Sequence, residues 1–181
     1  MATQPIYENA QPHLISVREY LSTSYRPDCE YVDGRIEERN VGEHDHGYLQ
    51  ALIAGIFNIN GKAWGVRAVT DVRTQIGPTR FRIPDVSVLR SSAPRENIIR
   101  EPQLIAVEIL SPEDRVSRLQ ERIDEYVGFG IEHIWVFDPV RRTASIVIEG
   151  ELRRVQSDEI TVPGTPIRVV LSELFARMDE N

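Results

Sequence analysis

Two acidic residues stand where acids are costly. Asp85 lies in Ile83-Pro84-Asp85-Val86-Ser87-Val88-Leu89, and Glu108 in Leu104-Ile105-Ala106-Val107-Glu108-Ile109-Leu110. Both runs are rich in β-branched and aliphatic residues and read as strands. An ionised carboxylate in such a run needs a cation, a metal or several hydrogen bonds to offset its desolvation. Side chains alternate along a strand, so Glu108 shares a face with Ala106 and Leu110, and Asp85 with Ser87 and Leu89. Pairing the two strands with these faces aligned brings both carboxylates to one point. Such a pair, with water and phosphate oxygens, suits Mg²⁺. An ion held there can activate water and stabilise charge on a phosphate under attack.

The elements that must carry these residues follow from local pattern. Residues 1–13 read as a loose leader. Ser16 is a candidate N-cap for a helix Val17–Ser24, stopped by Arg26-Pro27. Asp33-Gly34 between two extended runs signals a hairpin; Glu30 at its start can face a site or water, and Cys29 reads as a packed residue. Leu49, Leu52, Ile53, Ile56 and Phe57 form a helical stripe within Gly42–Lys62, closed by Asn60-Gly61. His44 and His46 fall in its first turn; they do not share a face and make a poor metal pair. Trp64–Ile76 reads as one or two strands, and Phe81–Leu89 as one strand entered through Pro84. Leu104–Leu110 has the composition of a buried central strand. Ser111-Pro112-Glu113 fits the entry to a helix Asp114–Phe129, and Ile131–Phe137 is the next strand. Strand, helix and strand over so short a stretch predict a right-handed crossover between parallel strands. A hairpin around Gly150, a short strand Ile167–Val170 and a helix Leu171–Arg177 capped near Ser172 complete the chain. The expectation is an α/β fold, a mixed central sheet with helices on both faces.

At 181 residues, 41% hydrophobic and 27% charged, the chain reads as a single domain spanning 1–181, with a core over about 30–139 and a hairpin and short helix over 140–181. No apolar run approaches the roughly 20 residues of a membrane span. The first residues lack the pattern of a secretory signal, and a lone Cys29 forms no internal disulfide. A cytoplasmic location is the expectation. A net charge of −7 counts mildly against strong nucleic-acid binding. The distribution points the other way: seven arginines between Arg67 and Arg100 against Asp71, Asp85 and Glu96 give a local +4, leaving −11 elsewhere. Solvated strand edges explain the same charges equally well. Lys62 is the only lysine, against 20 arginines, so arginine can stand where lysine is usual.

The order of elements, together with Glu30-Tyr31-Val32-Asp33-Gly34, His46, Ile83-Pro84-Asp85-Val86, Val107-Glu108-Ile109-Leu110-Ser111-Pro112, Tyr126 and Ile134-Trp135-Val136-Phe137-Asp138-Pro139, resembles the PD-(D/E)XK nuclease superfamily. More narrowly it resembles the Uma family of restriction-endonuclease-like proteins. The resemblance covers roughly Glu30 to Pro139. It implies a restriction-endonuclease-like sheet and a Mg²⁺- or Mn²⁺-dependent endonuclease acting on DNA, with Asp85, Glu108 and the Ile109 carbonyl holding the metal. Glu30 and His46 match positions the family tends to keep near its site. The superfamily's lysine, two residues after the Glu, is Leu110 here. Relatives of the narrower kind carry it four residues before the tyrosine, which is Arg122, and the position one turn earlier is Arg118. Arg118, Arg122 and Tyr126 share one helix face. Arginine can bind a phosphate in bidentate fashion but cannot act as a base. The alternatives are therefore a catalytically impaired nuclease fold that binds nucleic acid or a protein, and a structural ion network. A homodimer is common among enzymes cutting both strands, though no stretch marks an interface.

Overall fold

The computed structural model describes residues 14–39, 43–112 and 116–179; the leader and the helix entry at Glu113 and Asp114 lie outside them. Helix α1 (Val17–Ser22) begins where Ser16 Oγ accepts from the Glu19 N–H at 3.1 Å, satisfying a donor the first turn cannot. Its Tyr20 is fully buried and donates its hydroxyl to the Cys29 carbonyl at 2.8 Å. Strands β1 (Cys29–Val32) and β2 (Arg35–Glu38) form the expected hairpin. Asp33 and Gly34 take φ of 49° and 92°, the left-handed pair that matches strand twist.

Helix α2 (His44–Ile59) buries Leu49, Ile53 and Phe57. Asn60 caps it without stopping the chain, because a short helix α3 (Gly61–Trp64) follows and ends at left-handed Gly65. A Cβ on Gly61 would sit 2.7 Å from the Val66 carbonyl oxygen, so the close approach that turns α3 into the next strand requires glycine there. The remaining elements are β3 (Val66–Thr70), β4 (Thr74–Gly77), β5 (Arg80–Arg82), β6 (Val86–Arg90), β7 (Ile105–Ile109), α4 (Val116–Phe129), β8 (His133–Asp138), β9 (Thr143–Ile148), β10 (Glu151–Arg154), β11 (Glu159–Thr161), β12 (Arg168–Val170) and α5 (Leu171–Asp179).

A six-stranded mixed sheet runs in the order β10-β9-β8-β7-β6-β3, with β7 and β8 parallel and the other pairs antiparallel. Helix α4 makes the β7-to-β8 crossover. Ile105, Val107 and Ile109 turn to one face, where they pack with Leu49, Ile53 and Phe57 of α2 and with Leu174 and Phe175 of α5. Ala106 turns to the other, against Ile123 and Tyr126 of α4. Helices thus cover both faces, as the period-two pattern of β7 requires.

The single strand expected over Phe81–Leu89 is two strands in two sheets. β5 belongs to a four-stranded antiparallel sheet ordered β2-β1-β5-β4, and β6 to the mixed sheet. Pro84 has no N–H to give to a ladder, and Ile83-Pro84-Asp85 is where the chain passes from one sheet to the other. A further pair, β11 with β12, was only half expected: β11 buries just Ile160, too little to show alternation. Helix α5 is capped from outside its own sequence, since the Asp158 carboxylate accepts from the Ser172 N–H at 2.8 Å and from its Oγ at 2.6 Å.

Candidate active site

The register of β6 and β7 pairs Val86 with Val107 and Ser87 with Ala106. Asp85 immediately precedes β6, one step beyond this register, and lies near Glu108, whose side chain turns to the face covered by α4. The two carboxyl side chains are only 5% exposed. Glu108 accepts from Arg122 Nη1 at 3.1 Å on Oε2 and from the Tyr126 hydroxyl at 2.6 Å on Oε1. Both donors come from successive turns of α4, which the i, i+4 spacing stacks on one face. Asp85 accepts from the Ile109 N–H at 2.7 Å on Oδ2 and from Arg39 Nη2 at 2.6 Å on Oδ1. His46 Nε2 lies 3.4 Å from the same Oδ2.

Helix α2 contributes a second residue one turn after His46. Gln50 Nε2 donates to the Asp85 carbonyl and to Asp71 Oδ2, each at 2.8 Å. Asp71 Oδ1 takes Arg39 Nη1 at 2.8 Å, so the Arg39 guanidinium spans Asp71 and Asp85.

Glu30 belongs to the adjoining sheet and is held by a buried cation. Arg82 Nη1 donates to Glu30 Oε2 at 2.8 Å and to Glu37 Oε2 at 2.9 Å, and its Nε donates to Glu125 of α4. The Ile83 N–H closes the other Glu30 oxygen at 3.0 Å. Arg122 Nε stands 3.6 Å from Glu30 Oε2, so Arg122 lies between Glu30 and Glu108. With Arg82 2% exposed, this network fastens α4 to β1 and β5 and fixes the height at which Arg122 and Tyr126 meet the mixed sheet.

Electrostatics follow from burial. Glu108 titrates upward, to about 7, chiefly because burial disfavours its charge. Arg122 and the Tyr126 hydrogen bond pull it down, while Asp85 and Glu30 push it up. Burial also holds the Tyr126 hydroxyl well above its ordinary range, with Glu108 adding to the effect. Arg39 pays a burial penalty, but Asp85 and Asp71 more than offset it and hold the group firmly cationic.

Of the residues singled out in the sequence, Asp85, Glu108, Ile109, Arg122, Tyr126, His46 and Glu30 converge here. Arg118 does not. It is exposed, one turn nearer the start of α4, with no acid partner among the described residues. Arg39, Gln50, Asp71, Arg82 and Glu125 were missed. Only Gln50 carried a local signal, its four-residue spacing from His46. The arginine-rich stretch is largely consumed internally: Arg67 donates to the carbonyls of Arg90, Ser91, Ala93 and Pro94, Arg73 lies over the Tyr20 ring, and Arg80 and Arg90 pair with acids. A cavity of about 700 Å³ is lined by Arg67, Val69, Leu89 and the loop after β6, and does not include the two carboxylates.

The donor set fits a hard divalent cation in kind. No cluster of three His, Cys, Asp or Glu ligands occurs among the described residues, so water, a carbonyl or a phosphate must supply the rest. Asp85 Oδ1 and both Glu108 oxygens each accept one hydrogen bond, and a carboxylate oxygen has a second lone pair.

A mixed sheet with one parallel pair, a helical crossover between its parallel strands, and an Asp just before β6 close to a Glu on β7 are features of the restriction-endonuclease-like class. The chain belongs to the Uma2 family, described as "putative restriction endonuclease", whose model matches residues 17–173. Among solved structures it is similar to a "putative nuclease belonging to DUF820" from Anabaena variabilis ATCC 29413, at TM-score 0.77 and 23% identity over 91% of this chain and 99% of that one. That likeness shows the fold. A chain of a DrdV–DNA complex aligns at TM-score 0.42 and 16% identity, over 71% of this chain and 11% of that one. No curated protein matches the chain. No described helix is long and apolar enough to cross a membrane.

Proposed function

We propose that this protein is a Mg²⁺- or Mn²⁺-dependent endonuclease that hydrolyses DNA phosphodiester bonds at Asp85 and Glu108. The observation that carries the reading is the proximity of these two buried carboxylates with a guanidinium, Arg122, donating to one of them. Asp85, Glu108 and the Ile109 carbonyl are the groups that would hold the ion. When bound, the ion supplies an activated water and neutralises charge on the phosphate. Tyr126 fixes the Glu108 carboxylate by its 2.6 Å hydrogen bond. Arg122 stabilises charge building on the scissile phosphate and moves no proton, since guanidinium stays protonated. His46 steadies Asp85, Glu30 holds Arg122 from behind, and exposed Arg118 meets the DNA backbone beside the site. The buried thiol of Cys29 suits a reducing, cytoplasmic setting, and two copies acting on opposite strands would give a double-strand break.

The test is nicking of supercoiled plasmid with Mg²⁺ or Mn²⁺. Asp85→Ala abolishes it and Arg122→Lys raises it. No cleavage by either wild type or Arg122→Lys, with no heat of Mn²⁺ binding in calorimetry, overturns the enzyme reading. A second reading has its own support: all four oxygens of the pair already accept from protein donors. A metal-free scaffold that binds nucleic acid would retain DNA in a salt-dependent way without cutting it.

A further inference from the structure

The cation on Asp85 is not one that the arginine-rich stretch supplies. It is Arg39, from the segment after β2, and its geometry is that of a group with two holders. Nη1 is on Asp71 at 2.8 Å and Nη2 on Asp85 at 2.6 Å. The holders differ in kind. Asp85 is buried, its side chain 5% exposed, whereas that of Asp71 is 40% exposed. Arg39, at 16%, stands between the buried carboxylate and solvent.

Asp71 keeps its place by contacts that do not involve the Asp85 carboxylate. Gln50 Nε2 holds its Oδ2 at 2.8 Å, its N–H approaches the Asp85 carbonyl at 3.4 Å, and its backbone is left-handed at φ 53°. Arg39 can therefore lose Nη2 from Asp85 and stay tethered through Nη1. A guanidinium and a divalent cation on one carboxylate oxygen repel each other, so each weakens the other's hold. A guanidinium freed beside a bound cation finds its best partner in a phosphate oxygen.

We infer that Arg39 is a phosphodiester-binding residue held on Asp85 until a divalent cation takes that carboxylate, whereupon Arg39, anchored by Asp71, turns Nη2 to the substrate phosphate. This rests on the metal-site reading given above. It adds a residue of this chain that changes partner between the empty and the loaded site, so that metal and substrate are each recognised at the expense of one internal ion pair.

The test measures two affinities in Arg39→Gln: Mn²⁺ alone, by electron paramagnetic resonance titration, and a short DNA duplex with Ca²⁺ in place of Mn²⁺, by fluorescence anisotropy. Removing the competing charge tightens Mn²⁺ binding and removing the phosphate donor weakens duplex binding, each by about tenfold or more, the worth of a charge-assisted hydrogen bond. The opposite signs are the signature. A merely structural arginine would weaken both, and that result overturns the proposal, as does tighter Mn²⁺ with unchanged duplex binding. Should Arg39→Gln lack a cooperative melt, Arg39→Lys is read instead: a lysine lacks the two-pronged guanidinium and holds Asp85 less firmly, so Mn²⁺ again binds more tightly while the duplex keeps a cationic partner. Unchanged or weaker Mn²⁺ binding in Arg39→Lys overturns the proposal. Asp85→Asn separates the two readings. Loss of Mn²⁺ binding there with no effect of Arg39→Gln sinks this inference alone, whereas Mn²⁺ binding unchanged in Asp85→Asn sinks the metal site and this inference together.

Discussion

Glu108 should make the metal-free protein less stable as the solution becomes more alkaline, and its removal should abolish that contribution. Folding raises the carboxyl from an ordinary 4.5 to about 7. Between those values the folded chain keeps a proton that the unfolded chain has released, so the stability associated with this group falls as pH rises through the window. At about 1.4 kcal/mol per pH unit of separation, the full penalty is about 3 kcal/mol above pH 7. Roughly 2 to 3 kcal/mol of it develops between pH 5 and pH 8. Glu108→Gln keeps an acceptor for the Tyr126 hydroxyl and has no charge to desolvate. It also deprives Arg122 of a partner, but Arg122 is charged at both pH values, so that cost cancels when the two pH values are compared. The assay is urea denaturation of wild type and variant at pH 5 and pH 8, with chelator present. Relative to wild type, Glu108→Gln gains about 2 to 3 kcal/mol on going from pH 5 to pH 8. A difference that stays constant to within about 0.5 kcal/mol refutes the reasoning, because it means that Glu108 carries the same charge in both states across the window.

Three further outcomes follow from contacts already described. Arg82→Ala takes from Glu30, 2% exposed, its closest cationic partner and leaves only Arg122 at 3.6 Å, and should cost about 3 kcal/mol in equilibrium unfolding; a loss below about 1 kcal/mol would mean the network is ornamental. Tyr126→Phe removes a hydrogen bond that favours the ionised Glu108, so the Glu108 carboxyl should titrate above 7 in a carbon-13 NMR titration, and a midpoint moving down would contradict the assignment. Asp158→Ala uncaps α5 at Ser172 and should lower unfolding free energy by about 1 kcal/mol with an unchanged urea slope.

What the sequence revealed and what it hid divide along the range of the interaction. The Asp33-Gly34 hairpin, the Ser16 cap and the alternation of Ile105–Ile109 are set within a few residues, and each was legible. So was the pairing of Arg122 with Tyr126, which needs only helical period. Helical period gives the side on which a residue lies but not how far along the partner sheet it falls, so Arg118, on the same helix face, stands in solvent. Arg39 reaches Asp85 across 46 positions and Arg82 reaches Glu125 across 43; such contacts depend on how two sheets are set against each other. Pro84 did announce a break, but the pattern around it could not show that the strand on either side belonged to a different sheet. Counting arginines between Arg67 and Arg100 suggested a basic approach, whereas Arg67 spends its donors on four carbonyls of the adjoining loop.

The alternation of β7 ties the chemistry to the fidelity of folding. Five consecutive residues serve two different neighbourhoods: Ile105, Val107 and Ile109 face α2, while Ala106 and Glu108 face α4. A one-residue slip against β6 or β8 would carry Glu108 into the apolar layer of Leu49, Ile53 and Phe57 and turn valine and isoleucine toward Arg122 and Tyr126. No mis-registered sheet can therefore be both stably packed and armed. The same proofreading bears on how such a chain can diversify: insertions belong in the loops after β6 and around Gly150, and a single added residue in β7 would remove the site and the core at one stroke.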